Sequence, residues 1–510
     1  MLTDTKFRKS RLVATAAGCA LAVSLALPWG AMPARAAADV ITVAQPSDVF
    51  TLDPSMDISA TGLNVLQNIF YALTKIESDG SVTPLIAKSW KSSTDSKTWT
   101  FVIDEKAKFS DGTPVTAEDV MWTFDKIRND AKSPTRSYLG LVEKISVLDG
   151  NSVQIALKQP FAIFDRQATL LSILPKAAYE KMGAEAFARK PIGAGPFRVV
   201  EWVKDDQIVL EPVPNHWKEQ PKLKRLVFKP VPSEASRTAA LQSNAVDVVA
   251  VLPPPVVEQL KTRPNVKIVN IPSNRVVYMG MNVKNPVLND LKLRQAIDMA
   301  IDRNAIANQL LRGLGAPASQ INAPVTFGFD EARKPTAYNP ERAKQLIKES
   351  NYKGQEIPLS YANNRFAFGD EVSQAVAGYL EAVGIKVKLE AQQFNSWLPI
   401  WLEKKLQGLY VMSYGPSIMD AELTLSTLFE SGTGRGYWDS PEIDKLIADQ
   451  RAEADPVRRK KILTEIWQKA QDNAVMAPLY VEYHSYGMSS NVDWKPRPDE
   501  RLLFGDATAK

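Results

Sequence analysis

Two histidines, His216 and His484, and one cysteine, Cys19, are all that this sequence holds of the side chains that most often bind transition metals or act as soft nucleophiles. They stand far apart along the chain, so neither a His/Cys metal cluster nor a cysteine nucleophile paired with histidine is expected. The sequence also lacks a Gly-x-Ser-x-Gly elbow and a P-loop. Ile192-Gly193-Ala194-Gly195-Pro196 offers two glycines but no third and no ensuing helix, which reads as a tight turn before a strand. Carboxylates are plentiful, so counting alone does not exclude a glycosidase-type pair. Apart from that, no catalytic group is singled out, and no cofactor or metal is expected.

Side chains suited to holding a solute gather between Leu409 and Trp438. Leu409-Tyr410-Val411-Met412 reads as a strand, after which Ser413-Tyr414-Gly415-Pro416-Ser417 turns toward Asp420 and a helix from Ala421 to Phe429. Asp420 stands where a helix N-cap is expected. Gly432, Gly434 and Gly436 surround Arg435, with Tyr437 and Trp438 next to them. Flexible backbone beside a guanidinium and two aromatics suits a pocket wall, because the rings cover apolar ligand surface and Arg clamps a carboxylate at two points. A surface loop around a buried Trp fits the same residues equally well. Trp397 and Trp401, at i and i+4, have the spacing of a core pair.

These residues need a scaffold, and the clearest part of it runs from Lys97 to Arg128. Trp99, Phe101 and Ile103 alternate with Thr100, Val102 and Asp104, the period of a strand with one face on a core. Asp111-Gly112 marks a turn. Thr116 stands three residues before Asp119 as an approximate capping box, and Val120, Phe124 and Ile127 follow at helical spacing. Elsewhere Ile41-Thr42-Val43 reads as a strand and 61–73 as a helix with one apolar stripe. A helix is expected over 175–187, and Val276 to Asn282 has the continuous apolar character of a strand buried on both faces. Helices at 340–350 and 368–383 alternate with strands at 357–361 and 385–389, which makes this stretch α/β.

Ser89-Trp90, Thr98-Trp99-Thr100-Phe101, the run from Phe109 to Val120 and Trp122-Thr123-Phe124-Asp125 together resemble the signature of the family 5 extracellular solute-binding proteins. These are the peptide- and nickel-binding components of ABC importers. Asn215-His216-Trp217, Asp290 to Ile297 and Ala300-Ile301-Asp302-Arg303 are similar to the same family's wording. The resemblance implies a two-lobed α/β periplasmic binding protein of the large class II type, with an extra subdomain and the ligand cleft between lobes. The corresponding division is a leader over 1–36, lobe I over 37–78, the extra subdomain over 79–190, lobe I again over 191–275, lobe II over 276–480, and a return to lobe I over 481–510. Strands crossing between lobes would form a hinge.

The resemblance also implies a site. In peptide-binding members an aspartate at the place matched by Asp420 holds the ligand's ammonium, so Asp420 is expected to serve as ligand anchor, as cap, or as both. The family lines its cleft with aromatics, which brings in Trp397 and Tyr414. The loop 55–60, with Ser59, is expected to border the cleft. Dipeptide-binding members carry arginines where this chain has Asp370 and Glu371, with Arg365 a few residues earlier. A dipeptide is therefore in question, and an opine, a longer peptide, glutathione or a cationic solute stays open. The expected function is capture of a peptide-like solute and its delivery to an ABC permease. The alternatives are a nonpeptide ligand (opine, nickel chelate or oligosaccharide) and, third, a hydrolase.

The 510 residues, 45% of them hydrophobic, are enough for a large core and more than one domain. Net charge is +5, but the first 36 residues hold Lys6, Arg8, Lys9, Arg11 and Arg35 against Asp4. Without them the balance is 57 basic against 56 acidic residues, so the charge gives no footing for nucleic-acid binding. The basic start, the apolar run Leu12 to Leu27 and Ala34-Arg35-Ala36 read as a secretory signal peptide cleaved after Ala36 or Ala38. Ala17-Gly18-Cys19 is a poor lipoprotein box because the apolar run continues past it. The expected mature protein is a periplasmic monomer without cysteine.

Overall fold

The computed structural model describes residues 39–510, apart from 364 and 367. The leader, its cleavage site and Cys19 lie outside the described residues.

The motif around Thr116 folds from local chemistry. Trp99, Phe101 and Ile103 of the strand Thr98–Ile103 are buried while their neighbours are half exposed. Thr116 caps the helix Ala117–Asn129 reciprocally: the Asp119 amide donates to its hydroxyl at 3.2 Å, and the Thr116 amide donates to the Asp119 carboxylate at 2.9 Å. Two orphan donors of the first turn are thereby satisfied. This strand lies inside a four-stranded antiparallel sheet with Ala87–Ser92, Ser152–Leu157 and Val142–Leu148. The helix contributes Val120, Phe124 and Ile127 to the same core as the sheet.

Apart from two small two-stranded sheets, the remaining strands form one long sheet, and its middle decides the architecture. Val266–Met281 and Met476–Ser489 pair antiparallel along most of their lengths. Beyond the first lie Leu409–Tyr414, Ile357–Asn363 and Val387–Gln393. Beyond the second lie Val248–Val249, Val40–Gln45, Arg225–Pro230, Gln207–Pro212 and Phe197–Val203. The central pair changes register between Pro272 and Val276. On one side of that slip Val277, Met279, Leu479 and Tyr480 pack into one core; on the other, Tyr486 and Met488 pack into a second. Two cores joined through two strands make a two-lobed α/β fold, with the change of register where the lobes meet.

Several expected boundaries shift for local reasons. The crossing strand begins at Val266, ten residues before the apolar run, because 266–272 is only partly buried and lacks the apolar signal. The first helix spans Ala60–Ile69 and stops where Phe70 turns extended. The helix expected over 175–187 is two helices, Lys176–Met182 and Ala184–Arg189, broken by Gly183 at φ +78°. The strand expected to end at Met412 continues to Tyr414.

Candidate functional site

Where the central strands change register, the backbone from Ser273 to Arg275 leaves the ladder and opens onto a cavity of about 780 Å3. Asn274 and Arg275 form part of its wall, together with Gly415 and Ser417 from the loop after Leu409–Tyr414. The rest of the wall includes the loop 54–60 with the helix that follows it, and the segment 493–507. Asn274 ties two wall segments together by donating from Nδ2 to the Pro416 carbonyl at 2.9 Å. Gly415 permits this close approach, since a Cβ there would lie 2.6 Å from Arg275 Cγ and 2.8 Å from Asn274 Oδ1.

Charge is organised around Arg275. Its guanidinium donates to the Glu500 carboxylate. Behind this pair His484 is buried, with Nε2 3.5 Å from Glu482 and 3.7 Å from Glu500, while Ser413 Oγ donates to Glu482 at 3.0 Å. Burial works against ionisation of Glu500, but Arg275 and His484 outweigh it and hold its pKa at about 2. For His484, burial favours the neutral ring, yet Glu500 and Glu482 together raise the pKa above its ordinary value. The cluster is thus an alternation of cations and carboxylates at the junction of the lobes.

Arg365 also lines the cavity. Its guanidinium carbon sits 4.6 Å from the centroid of the Phe394 ring, and Nε is buried with no hydrogen-bond partner. Ser59 caps the helix Ala60–Ile69, its hydroxyl accepting from the Gly62 amide at 3.0 Å, while its neighbours Asp57, Ile58 and Ala60 face the cavity.

The other expected site residues stand elsewhere, engaged within the protein. Asp420 is fully buried, and Arg459 donates to both carboxylate oxygens, at 2.8 and 2.5 Å. Arg166 approaches at 3.5 Å, and the Glu422 amide donates to Oδ1 at 2.9 Å, the N-cap bond. Burial alone would raise this carboxyl's pKa, but Arg459 and then Arg166 bring it below its ordinary value. With its charge already matched and its position off the cavity wall, Asp420 has no oxygen free for a ligand ammonium here. Tyr414 donates to Thr427 Oγ1 at 2.9 Å, and burial pushes its pKa up to about 12. Arg435 donates to the Leu402 carbonyl at 2.9 Å, and the Tyr437 hydroxyl accepts from the Leu406 amide at 2.8 Å. Trp438 packs at the edge of that core. Trp397 is fully buried, stacked on Trp401 at 6.2 Å, and donates to Ser360 Oγ at 2.9 Å. Tyr414, Tyr437, Trp438 and Trp397 share one hydrophobic core.

The wall residues that the sequence reading passed over are Asn274, Arg275, Ser417, Glu500 and Arg501. One signal was present: Asn274-Arg275 places polar side chains immediately before the most apolar strand of the chain. Among the described residues, no group of three His, Cys, Asp or Glu is placed to hold a metal ion, and no helix is long and apolar enough to cross a membrane.

Two lobes joined through paired strands, with a polar cavity where they meet, define a cleft-type solute-binding protein. The model of the bacterial extracellular solute-binding proteins, family 5, matches residues 81–436, and the chain belongs to that family. It is 27% identical over 491 residues to the probable D,D-dipeptide-binding periplasmic protein DdpA of Escherichia coli K12, covering 92% of this chain and 94% of that one. It is likewise 27% identical over 512 residues to the glutathione-binding protein GsiB of Salmonella typhi, covering 96% and 98%. Among solved structures, the ABC transporter substrate-binding protein CtaP of Listeria monocytogenes superposes with a TM-score of 0.84 at 22% identity, over 93% of this chain and 99% of that one. The two-lobed fold read from the strand order is the fold of that protein.

Proposed function

We propose that this protein captures a peptide-like solute in the periplasm and delivers it, chemically unchanged, to the permease of an ABC importer. The observation that carries this reading is the cavity at the lobe junction. Its volume of about 780 Å3 lies within the range of small-molecule sites, and its wall combines guanidinium, carboxylate and amide groups that match the polar groups of a peptide. The relatives named above, one a probable dipeptide binder and one a glutathione binder, support the ligand class.

Closure about the register slip would bring the two walls onto the solute, and the closed form would be the one the permease recognises. The protein acts as a monomer after loss of its leader. Isothermal titration of the purified mature protein with short peptides, before and after treatment with a chelator, tests the reading. One-to-one binding that survives chelation, with the peptide recovered intact, is expected. A cleaved peptide whose yield scales with protein concentration would overturn it in favour of a hydrolase.

A further inference from the structure

The cavity is unequally supplied with partners for its charges. Arg275 is matched by Glu500, and Arg497 by Asp499, which accepts from its guanidinium at 2.6 Å. Arg365 and Arg501 line the same cavity, and among the described residues no carboxylate lies within ion-pair distance of either guanidinium. Both are held below the ordinary arginine pKa, first by burial; for Arg365 the charge of Arg275 adds to it, and the carboxylates nearby but beyond ion-pair distance, Glu500 and Glu482 for Arg365 and Asp499 and Glu500 for Arg501, offset only part of it. The segment Gly415 to Ser417 carries no charged side chain, and Asp420 after it is neutralised by Arg459. Of the cavity's other carboxylates, Asp493 and Asp506 stand exposed, Glu219 is half-buried, and Asp57 is buried and accepts from the Phe50 and Ser59 amides.

A partly buried guanidinium that no carboxylate contacts is costly in the empty protein and becomes more favourable when an anion reaches it. Two of them in the same lining as the matched pairs Arg275–Glu500 and Arg497–Asp499 make the cavity an acceptor for more than one negative group. We infer that the solute is acidic, a short peptide-like molecule with an anionic group in addition to its terminal carboxylate, held by Arg365 and Arg501. This rests on the peptide-like reading of the same cavity.

The test uses the full mature protein and an isosteric pair, alanyl-glutamate and alanyl-glutamine, with alanyl-lysine and the non-peptide glutarate as further probes, all by isothermal titration. Alanyl-glutamate is expected to bind at least about tenfold more tightly than alanyl-glutamine, and alanyl-lysine the most weakly. Equal or reversed affinities of the isosteric pair overturn the inference and leave peptide capture standing. Binding of glutarate with none of the peptides overturns peptide capture and sustains the preference for acids. Failure of every acidic probe overturns the inference.

Arg365→Gln and Arg501→Gln should each weaken alanyl-glutamate at least about tenfold and alanyl-glutamine less than about threefold. Neither should lower the melting temperature of the empty protein, since each removes an unmatched cation. Equal loss for both peptides, or a lowered melting temperature with the isosteric preference retained, would make these arginines structural and overturn the assignment. Arg365→Lys keeps the charge and serves as the second variant if glutamine disrupts folding; it should keep the preference for alanyl-glutamate over alanyl-glutamine.

Discussion

Replacing Asp420 by asparagine separates a ligand anchor from a structural ion. The side chain keeps its shape and, as asparagine, remains a good N-cap, so the helix start loses little. What disappears is the charge that matches Arg459, which is only 3% exposed. Gln450 Oε1 still accepts from Arg459, at 3.0 and 2.9 Å, but an amide does not neutralise a buried cation. Breaking a buried ion pair by removing one partner costs about 3–5 kcal/mol. For a cooperative unit of roughly 250 residues, 1 kcal/mol corresponds to about 2 °C, so the melting temperature should fall by ~6–10 °C.

Affinity for peptides should change by less than about threefold, because Asp420 is off the cavity wall. The pH dependence has a definite sign. The folded-state pKa of Asp420 lies below its ordinary value, so its contribution is present above the unfolded pKa and is lost as pH falls through the folded one. Wild type should therefore lose stability in acid more steeply than Asp420→Asn. Melting curves from neutral pH to pH 3, with titration calorimetry on both proteins, measure all of this. Weakened binding at an unchanged melting temperature would return Asp420 to the role of ammonium anchor.

Three further outcomes follow from the junction and the leader. With only two histidines in the chain, the proton NMR titration of His484 can be followed; Glu500→Gln should lower its midpoint, and an unchanged midpoint would contradict the ion cluster. The cluster's two signs oppose each other. The raised His484 contributes stability below its unfolded pKa of about 6.5 that is lost as pH rises through the folded value, whereas Glu500 contributes stability above about 4.5 that is lost as pH falls toward 2. Gly415→Ala puts a methyl group 2.6 Å from Arg275 Cγ and should cost roughly 1–3 kcal/mol and weaken peptide binding; a variant with wild-type melting and affinity would show that this wall yields easily. N-terminal sequencing of protein from the periplasm should begin at Ala37, and an acylated Cys19 as first residue would show an anchored lipoprotein instead.

What was legible in the sequence was local. The alternation of Thr98–Ile103 and the Thr116/Asp119 box are spelled within a few residues of each other, and both form as read. The Trp397/Trp401 stack follows from helical spacing alone. The charge pairing was not legible, because its partners are remote: Arg275 and Glu500 are 225 residues apart. Arg459 shows the difficulty well. It sits in the run Arg458-Arg459-Lys460-Lys461, which has the look of a solvated face, and only the orientation of the helix Pro456–Asp472 turns that one cation inward onto Asp420 while its three neighbours stay exposed. A sequence motif could place an aspartate after the turn, but not tell whether its carboxylate already had a partner. Arg365 was reachable from its position before a helix; Arg501, near the chain's end, became a wall residue only through the return of the second crossing strand.

Native mass spectrometry of the protein purified from its own host weighs the captured solute directly. The expected species is a monomer that begins near Ala37 and carries, one to one, an intact peptide-like molecule of acidic character that is released on gentle activation. A neutral or cationic nonpeptide solute in that cavity, or a bound metal ion lost to chelators together with the ligand, would contradict it.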